Sequence, residues 1–336
     1  MSVFKFISQV FKSSDPVIVM PFGGLANEQT LFTCARVLED ERIQHHEDDS
    51  TLKNLWNSFK RLESDEVGGA TVRICWADKH VELTTDSEGY VYLQTDHHLD
   101  ISTLHHPSFL VTYQLLEQER IVYQVNTSIH VPHASSRLGI ISDVDDTILQ
   151  TGVTSLLKWR VLVNALTKHS HQRRPLEGAE AFYQLLHKGQ TGKELNPVFY
   201  VSNSPWNIYD YITAFLEKFK FPKGPLLLRD INQKFLKKSD FENSHKHQSI
   251  ERILQMYPSL PFLLIGDAGE IDIDIYTSIA QKYPGRIKSI FIRAVKKDAK
   301  TNRVRQMMKE NSDLDTALIA NPEEALSHAR SRGYIA

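Results

Sequence analysis

Residues 138–147 read Leu-Gly-Ile-Ile-Ser-Asp-Val-Asp-Asp-Thr. The apolar run Leu138–Ile141 has the length and texture of a short buried strand in a parallel sheet. It stops at three carboxylates, Asp143, Asp145 and Asp146, followed by the hydroxyl of Thr147. In open α/β sheets, ligands bind beyond the carboxyl ends of the strands. Three acids crowded there repel one another unless they share a cation. Hard oxygen donors at that density suit magnesium better than zinc or copper. A solvated acidic turn would explain Asp-Asp alone, but it fits poorly directly after a buried strand.

The same punctuation recurs downstream. Val198–Val201 is a second apolar run, ending in Ser202 and Asn203. Ser204-Pro205 then reads as an N-cap followed by Pro at the first helical position, opening a helix through Phe219. Hydroxyl and amide donors gathered at a strand end and a helix N-terminus make a phosphate cradle, with Ser202 and Asn203 as its candidates. Phe262–Ile265 ends at Gly266-Asp267, and Leu226–Leu228 and Ser289–Ile292 end at Arg229 and Arg293. An arginine so placed binds phosphate bidentately or pairs with a neighbour, as Arg229 would with Asp230. Lys246 lies at the start of a helix reaching about Met256, and the flanking His245 and His247 read as polar loop residues. From Gly139 onward, strands and helices alternate, which predicts a mostly parallel sheet.

The preceding stretch has a different texture. Val17–Met20, Leu31–Ala35, Thr71–Trp76, His80–Thr84, Tyr90–Gln94 and Phe109–Leu116 are candidate strands. Asp86-Ser-Glu-Gly89 reads as a turn, and Leu52–Leu62 has apolar residues at helical spacing. Short strands with turn signals predict a small sandwich-like module over residues 15–135, bounded by the polar segment around His133–Ser136. Met1–Lys12 carries apolar residues at spacings compatible with an amphipathic helix, which would rest on a membrane surface or pack on the protein. It lacks the apolar core and cleavage site of a signal peptide.

Bulk properties are permissive. The chain has 336 residues, enough for two ordinary domains, with 41% hydrophobic and 24% charged residues. A formal net charge of -2 gives no global drive toward nucleic acid or an anionic membrane, so no nucleic-acid partner is expected. Two cysteines, Cys34 and Cys75, imply neither a disulfide framework nor a zinc site and suit a cytoplasmic protein.

Asp143-Val-Asp145-Asp146-Thr147 resembles motif I of the haloacid dehalogenase superfamily of phosphohydrolases, in the form seen in lipin-like magnesium-dependent phosphatidate phosphatases. Thr151–Thr154, Val201–Asn207 and Gly266–Asp272 narrow the resemblance to the actin patch protein family of phosphatidate phosphatases, over about residues 138–295. The resemblance implies a Rossmann-like α/β domain over residues 136–336 with a short cap insert near 151–175, and therefore an open site. It implies Asp143 as nucleophile, Asp145 as general acid and base, and Ser202 as the motif II holder of the phosphoryl group. Lys246 follows as the motif III cation, with Lys234, Lys237 and Lys238 as competitors.

Magnesium would sit on Asp143, the backbone carbonyl of Asp145, Asp267 and Asp272, with Glu270 and Asp274 as alternatives for the last. Asp146 is left as a cap or a supporting group, and Thr147 as the start of the following loop. The implied substrate is a phosphate ester, phosphatidate by resemblance, with peripheral membrane contact. The basic cluster Lys168–Arg174 would meet headgroups or lie in a solvated loop. A phosphatase for a soluble ester or phosphoprotein, and a non-catalytic lipid-binding module, are the alternatives.

Overall fold

The computed structural model describes residues 16–39, 66–101, 107–145, 147–148, 178–229, 238–269, 271–294 and 299–336. The Met1–Lys12 segment, the Leu52–Leu62 helix, Asp146, the 151–175 insert with its basic cluster, Lys234, Lys237, the side chain of Lys238 and Glu270 lie outside them. The chain divides into two compact units. One ends at Val131 and takes in Asn207–Tyr211; the other comprises Pro132–Trp206 and Ile212–Ala336.

The first unit is built from β1 (Val17–Ala26), β2 (Thr30–Glu39), β3 (Thr71–Trp76), β4 (Lys79–Thr84), β5 (Tyr90–Asp96), β6 (Ser108–Glu117) and β7 (Arg120–His130). They form one mixed sheet in the order β4-β3-β6-β7-β1-β2-β5. The expected sandwich-like module is therefore a single continuous sheet. Ile74 and Trp76 near one end share a core with Val91 and Leu93 at the other, so the sheet curls over its own apolar face. The Asp86 turn forms as read: its carboxylate accepts from the Glu88 and Tyr90 amides, and Gly89 has φ 78°. The sequence reading missed β7. Its hairpin turns at Gln118 and Glu119, both with positive φ, where no Gly or Asn announces it.

The second unit contains β8 (Gly139–Asp143), α1 (Ala179–Lys188), β9 (Val198–Pro205), α2 (Tyr209–Lys218) from Ile212 onward, β10 (Leu226–Arg229), α3 (His245–Met256), β11 (Phe262–Asp267), α4 (Asp272–Lys282), β12 (Ile287–Arg293), α5 (Ala299–Glu310), β13 (Thr316–Ile319) and α6 (Pro322–Ser331). The six strands run in the order β10-β9-β8-β11-β12-β13, and every pairing is parallel. Counted along the chain this is 3-2-1-4-5-6, in which the connection reverses direction beside β8. That reversal leaves a crevice at the carboxyl ends of β8 and β11, where ligands bind in such sheets. β8 and β11 are buried along their whole length, which is why they read as uninterrupted apolar runs.

Candidate active site

Register brings the polar ends of the central strands level. Asp143 pairs across from Val201 of β9, and Ile265 of β11 pairs with Ser142. Asp143 thus stands beside Ser202 on one side and Gly266-Asp267 on the other. α4 opens at Asp272, where a carboxylate meets the positive end of the helix.

The carboxylates of Asp143, Asp267 and Asp272 lie within 4.8 Å of one another, all buried. Lys246, in the first turn of α3, reaches into the same space. Its Nζ donates to Asp143 Oδ1 at 2.9 Å and to Asp272 Oδ1 at 2.5 Å. All four side chains are at most 1% exposed. One ammonium neutralises at most one of the three acids, and an oxygen-only donor set suits a hard divalent cation. Of the alternatives to Asp272, Asp274 is turned to an ion pair with Arg303 instead.

Asp145 is placed differently. Its carboxylate is not in the acidic triad; Ser202 Oγ donates to its Oδ2 at 2.5 Å and Ser204 Oγ to the same oxygen at 3.0 Å. Ser204 therefore does not cap a helix. β9 continues extended through Pro205, a short 3-10 turn follows at Trp206–Ile208, and α2 begins only at Tyr209. Pro205 still pairs with Arg229 of β10, across a shift in register after Val201, and the Arg229 guanidinium donates to the Asn203 carbonyl at 3.1 Å.

His245 and His247 are not loop residues: both lie in the first turn of α3, where the Ser244 hydroxyl caps the His247 amide. Burial pushes His245 down to about 4, against a backbone hydrogen bond to Leu227 that favours the charged ring. His247 is pushed below its ordinary value by the same cause.

Three contributors escaped the sequence reading. Ser142 donates to the Asp143 carbonyl at 2.7 Å and meets Tyr183 of α1 at 2.5 Å, which braces the strand end from below. Ser204 has just been described. Gly266 is the third: a Cβ there would overlap Asp272 Oδ2 and lie 2.9 Å from Tyr276, so only glycine admits the Asp272 carboxylate. A glycine before the strand-terminal aspartate was the available signal for this one.

A Ser289–His328–Asp315 grouping elsewhere in the unit has the composition of a hydrolytic triad but not its geometry. Ser289 Oγ and Asp315 Oδ2 both contact the same ring nitrogen, His328 Nε2, at 3.2 and 3.1 Å. A relay needs one partner on each nitrogen. The grouping fastens α6 to the sheet.

Among the described residues no helix is long and apolar enough to cross a membrane. Residues 138–294 match the family model described as phosphatidate phosphatase APP1, catalytic domain. Phosphatidate phosphatase APP1 of Saccharomyces cerevisiae is 34% identical over 159 residues, which is 46% of this chain and 26% of that protein. An uncharacterized protein of Schizosaccharomyces pombe is 27% identical over 268 residues, 76% of this chain and 42% of that protein. The chain thus spans less than half the length of either curated relative. Among solved structures, a glycosyl hydrolase family 2 member from Bacteroides cellulosilyticus overlaps 95% of this chain and 43% of its own at 10% identity, with a TM-score of 0.28, too loose to inform the fold. Residues 138–294 are thus similar to the catalytic domain of phosphatidate phosphatase APP1, the family that the motifs resemble.

Proposed function

We propose that this domain is a magnesium-dependent phosphomonoester hydrolase with a haloacid dehalogenase-like, Rossmann-type core, and that its substrate is phosphatidate. The observation that carries the reading is the buried Lys246–Asp143 contact at the end of β8, with Asp267 and Asp272 alongside. A nucleophile, a cation and an acidic pair gathered at the reversal point of a parallel sheet suit phosphoryl transfer, which depends on positioning and charge stabilisation.

Asp143 attacks phosphorus while the bond from phosphorus to the leaving oxygen breaks. The bonding pair leaves with that oxygen, and Asp145 supplies its proton. In the second half Asp145 takes a proton from water, whose oxygen bonds to phosphorus as the Asp143–phosphorus bond breaks and the carboxylate returns. The products are phosphate and an alcohol, diacylglycerol when the ester is phosphatidate. Lys246 holds Asp143 in place and offsets the charge gathering around phosphorus. Ser202 and Asn203, at the end of β9, bind the phosphoryl oxygens. Magnesium held by Asp143, Asp267, Asp272 and the Asp145 carbonyl would screen repulsion between phosphate and carboxylates.

The choice of phosphatidate rests on the name of the Saccharomyces cerevisiae relative, and peripheral membrane contact from the cytoplasmic side is proposed as what such a lipid substrate would require. The β-rich module, residues 15–135, is read as a partner or membrane adaptor, and residues 136–336 as the catalytic domain. A binding-only module is disfavoured because nucleophile, acid–base group, lysine and acidic pair are all present. The test is hydrolysis of phosphatidate vesicles and a panel of soluble phosphate esters with magnesium. Asp143→Asn should lose on the order of 10⁴-fold in rate. Activity surviving that change would overturn the mechanism, whereas hydrolysis confined to soluble esters would discard the lipid alone.

A further inference from the structure

We infer that Ser204 is a positioning residue for Asp145, holding the acid–base carboxylate by Oδ2 so that proton exchange falls to Oδ1. The inference rests on the reading of Asp145 as acid and base. It starts from the backbone. Ser202 and Ser204 sit two residues apart near the end of β9, where its pairing with β10 shifts register between Val201 and Pro205. Both hydroxyls converge on a single oxygen, Asp145 Oδ2, at 2.5 and 3.0 Å.

The proton directions follow. The Ser204 amide donates to Ser202 Oγ at 2.9 Å, so the Ser202 hydroxyl accepts there and turns its own proton to Asp145. A hydroxyl has one proton to give. When Ser202 turns that proton to a phosphoryl oxygen, it leaves Asp145, and Ser204 is the hydroxyl that keeps the carboxylate in place. Ser204 is 3% exposed, so water does not readily take over this task. The two serines thus divide the work: Ser202 changes partner and Ser204 does not.

The two roles predict different signatures. kcat/KM reports events through attack by Asp143, where an alkyl leaving group needs the Asp145 proton and p-nitrophenolate does not. With the full chain and magnesium, Ser204→Ala should lower kcat/KM on phosphatidate vesicles about 10²-fold. It should change kcat/KM on p-nitrophenyl phosphate by less than about threefold and leave KM for both esters nearly unaltered. Ser204→Thr, which keeps the hydroxyl, should restore the ratio between the two esters. Ser202→Ala should depress both esters alike. Equal losses on the two esters for Ser204→Ala, in a protein whose circular dichroism is that of the parent, would overturn the inference. So would failure of Ser204→Thr to restore the ratio. Asp143→Asn separates the levels: if that variant stays active the aspartyl-phosphate mechanism falls, and if it is inactive the Ser204 result stands or falls alone.

Discussion

Arg36 on β2 of the seven-stranded sheet and Lys246 on helix α3 of the second unit are both buried cations, but their surroundings differ. Arg36 gives its Nε to the Glu88 carbonyl at 2.9 Å, one Nη to Glu66 at 2.9 Å, and its face to the Tyr90 ring at 4.7 Å. The Glu66 side chain is 44% exposed, so half of that ion pair keeps its water. Lys246 meets two carboxylates that are themselves fully buried. Burying both members of a pair carries a desolvation cost that well-packed apolar side chains avoid. The first arrangement is one a fold uses to finish a sheet, and the second is one that catalysis requires.

The largest expected effect tests this contrast directly. Lys246→Met leaves Asp143 and Asp272 buried and facing each other without their ammonium, and should cost about 3–5 kcal/mol and abolish activity. Arg36→Met strands no buried carboxylate and should cost about 1–2 kcal/mol with hydrolysis unchanged. Chemical denaturation and the esterase panel read both. Equal stability losses from the two changes would break the comparison.

A smaller effect concerns His245, beside Lys246. Its folded value of about 4 lies below the ordinary 6.5, chiefly through burial. In that window the unfolded chain binds the extra proton, so stability is complete above about pH 6.5 and declines as pH falls toward 4. The loss reaches up to about 3 kcal/mol. His245→Gln should flatten the decline; an unchanged profile would mean that other groups set the acid limb.

The smallest effect on stability sharpens the comparison most in activity. Gly266→Ala and Gly24→Ala each place a Cβ against fixed atoms: Asp272 and Tyr276 in one case, the Phe32 carbonyl and Ile129 in the other. Overpacking should cost about 1–3 kcal/mol in both. Only Gly266→Ala should also lower hydrolysis, because it moves a carboxylate of the triad. Magnesium titration of the two variants would show the affinity change confined to Gly266→Ala.

Legibility followed the same divide. β8, β9, β10, β11 and β12 could be read from the chain because a strand covered on both faces must be apolar throughout, and its polar end stands out. The helix bearing Lys246 was legible in its extent, from beside Lys246 to about Met256. β7 was not, since its burial is partial and its turn uses Gln118 and Glu119, residues without a turn signature. Ser204-Pro205 was misread because a serine before proline caps helices in isolation, and only Asp145 and the β10 pairing hold it extended.

From local chemistry came the parallel α/β unit and the acidic strand end, because each is written in a run of adjacent side chains; Lys246 and Asp272 were added only by the family resemblance. Tertiary structure decided which acids form the triad, that Asp145 belongs to two serines instead, and that Gly266 must lack a side chain. Those are distances between segments far apart in the chain, and no local pattern encodes how closely two strand ends and a helix terminus approach.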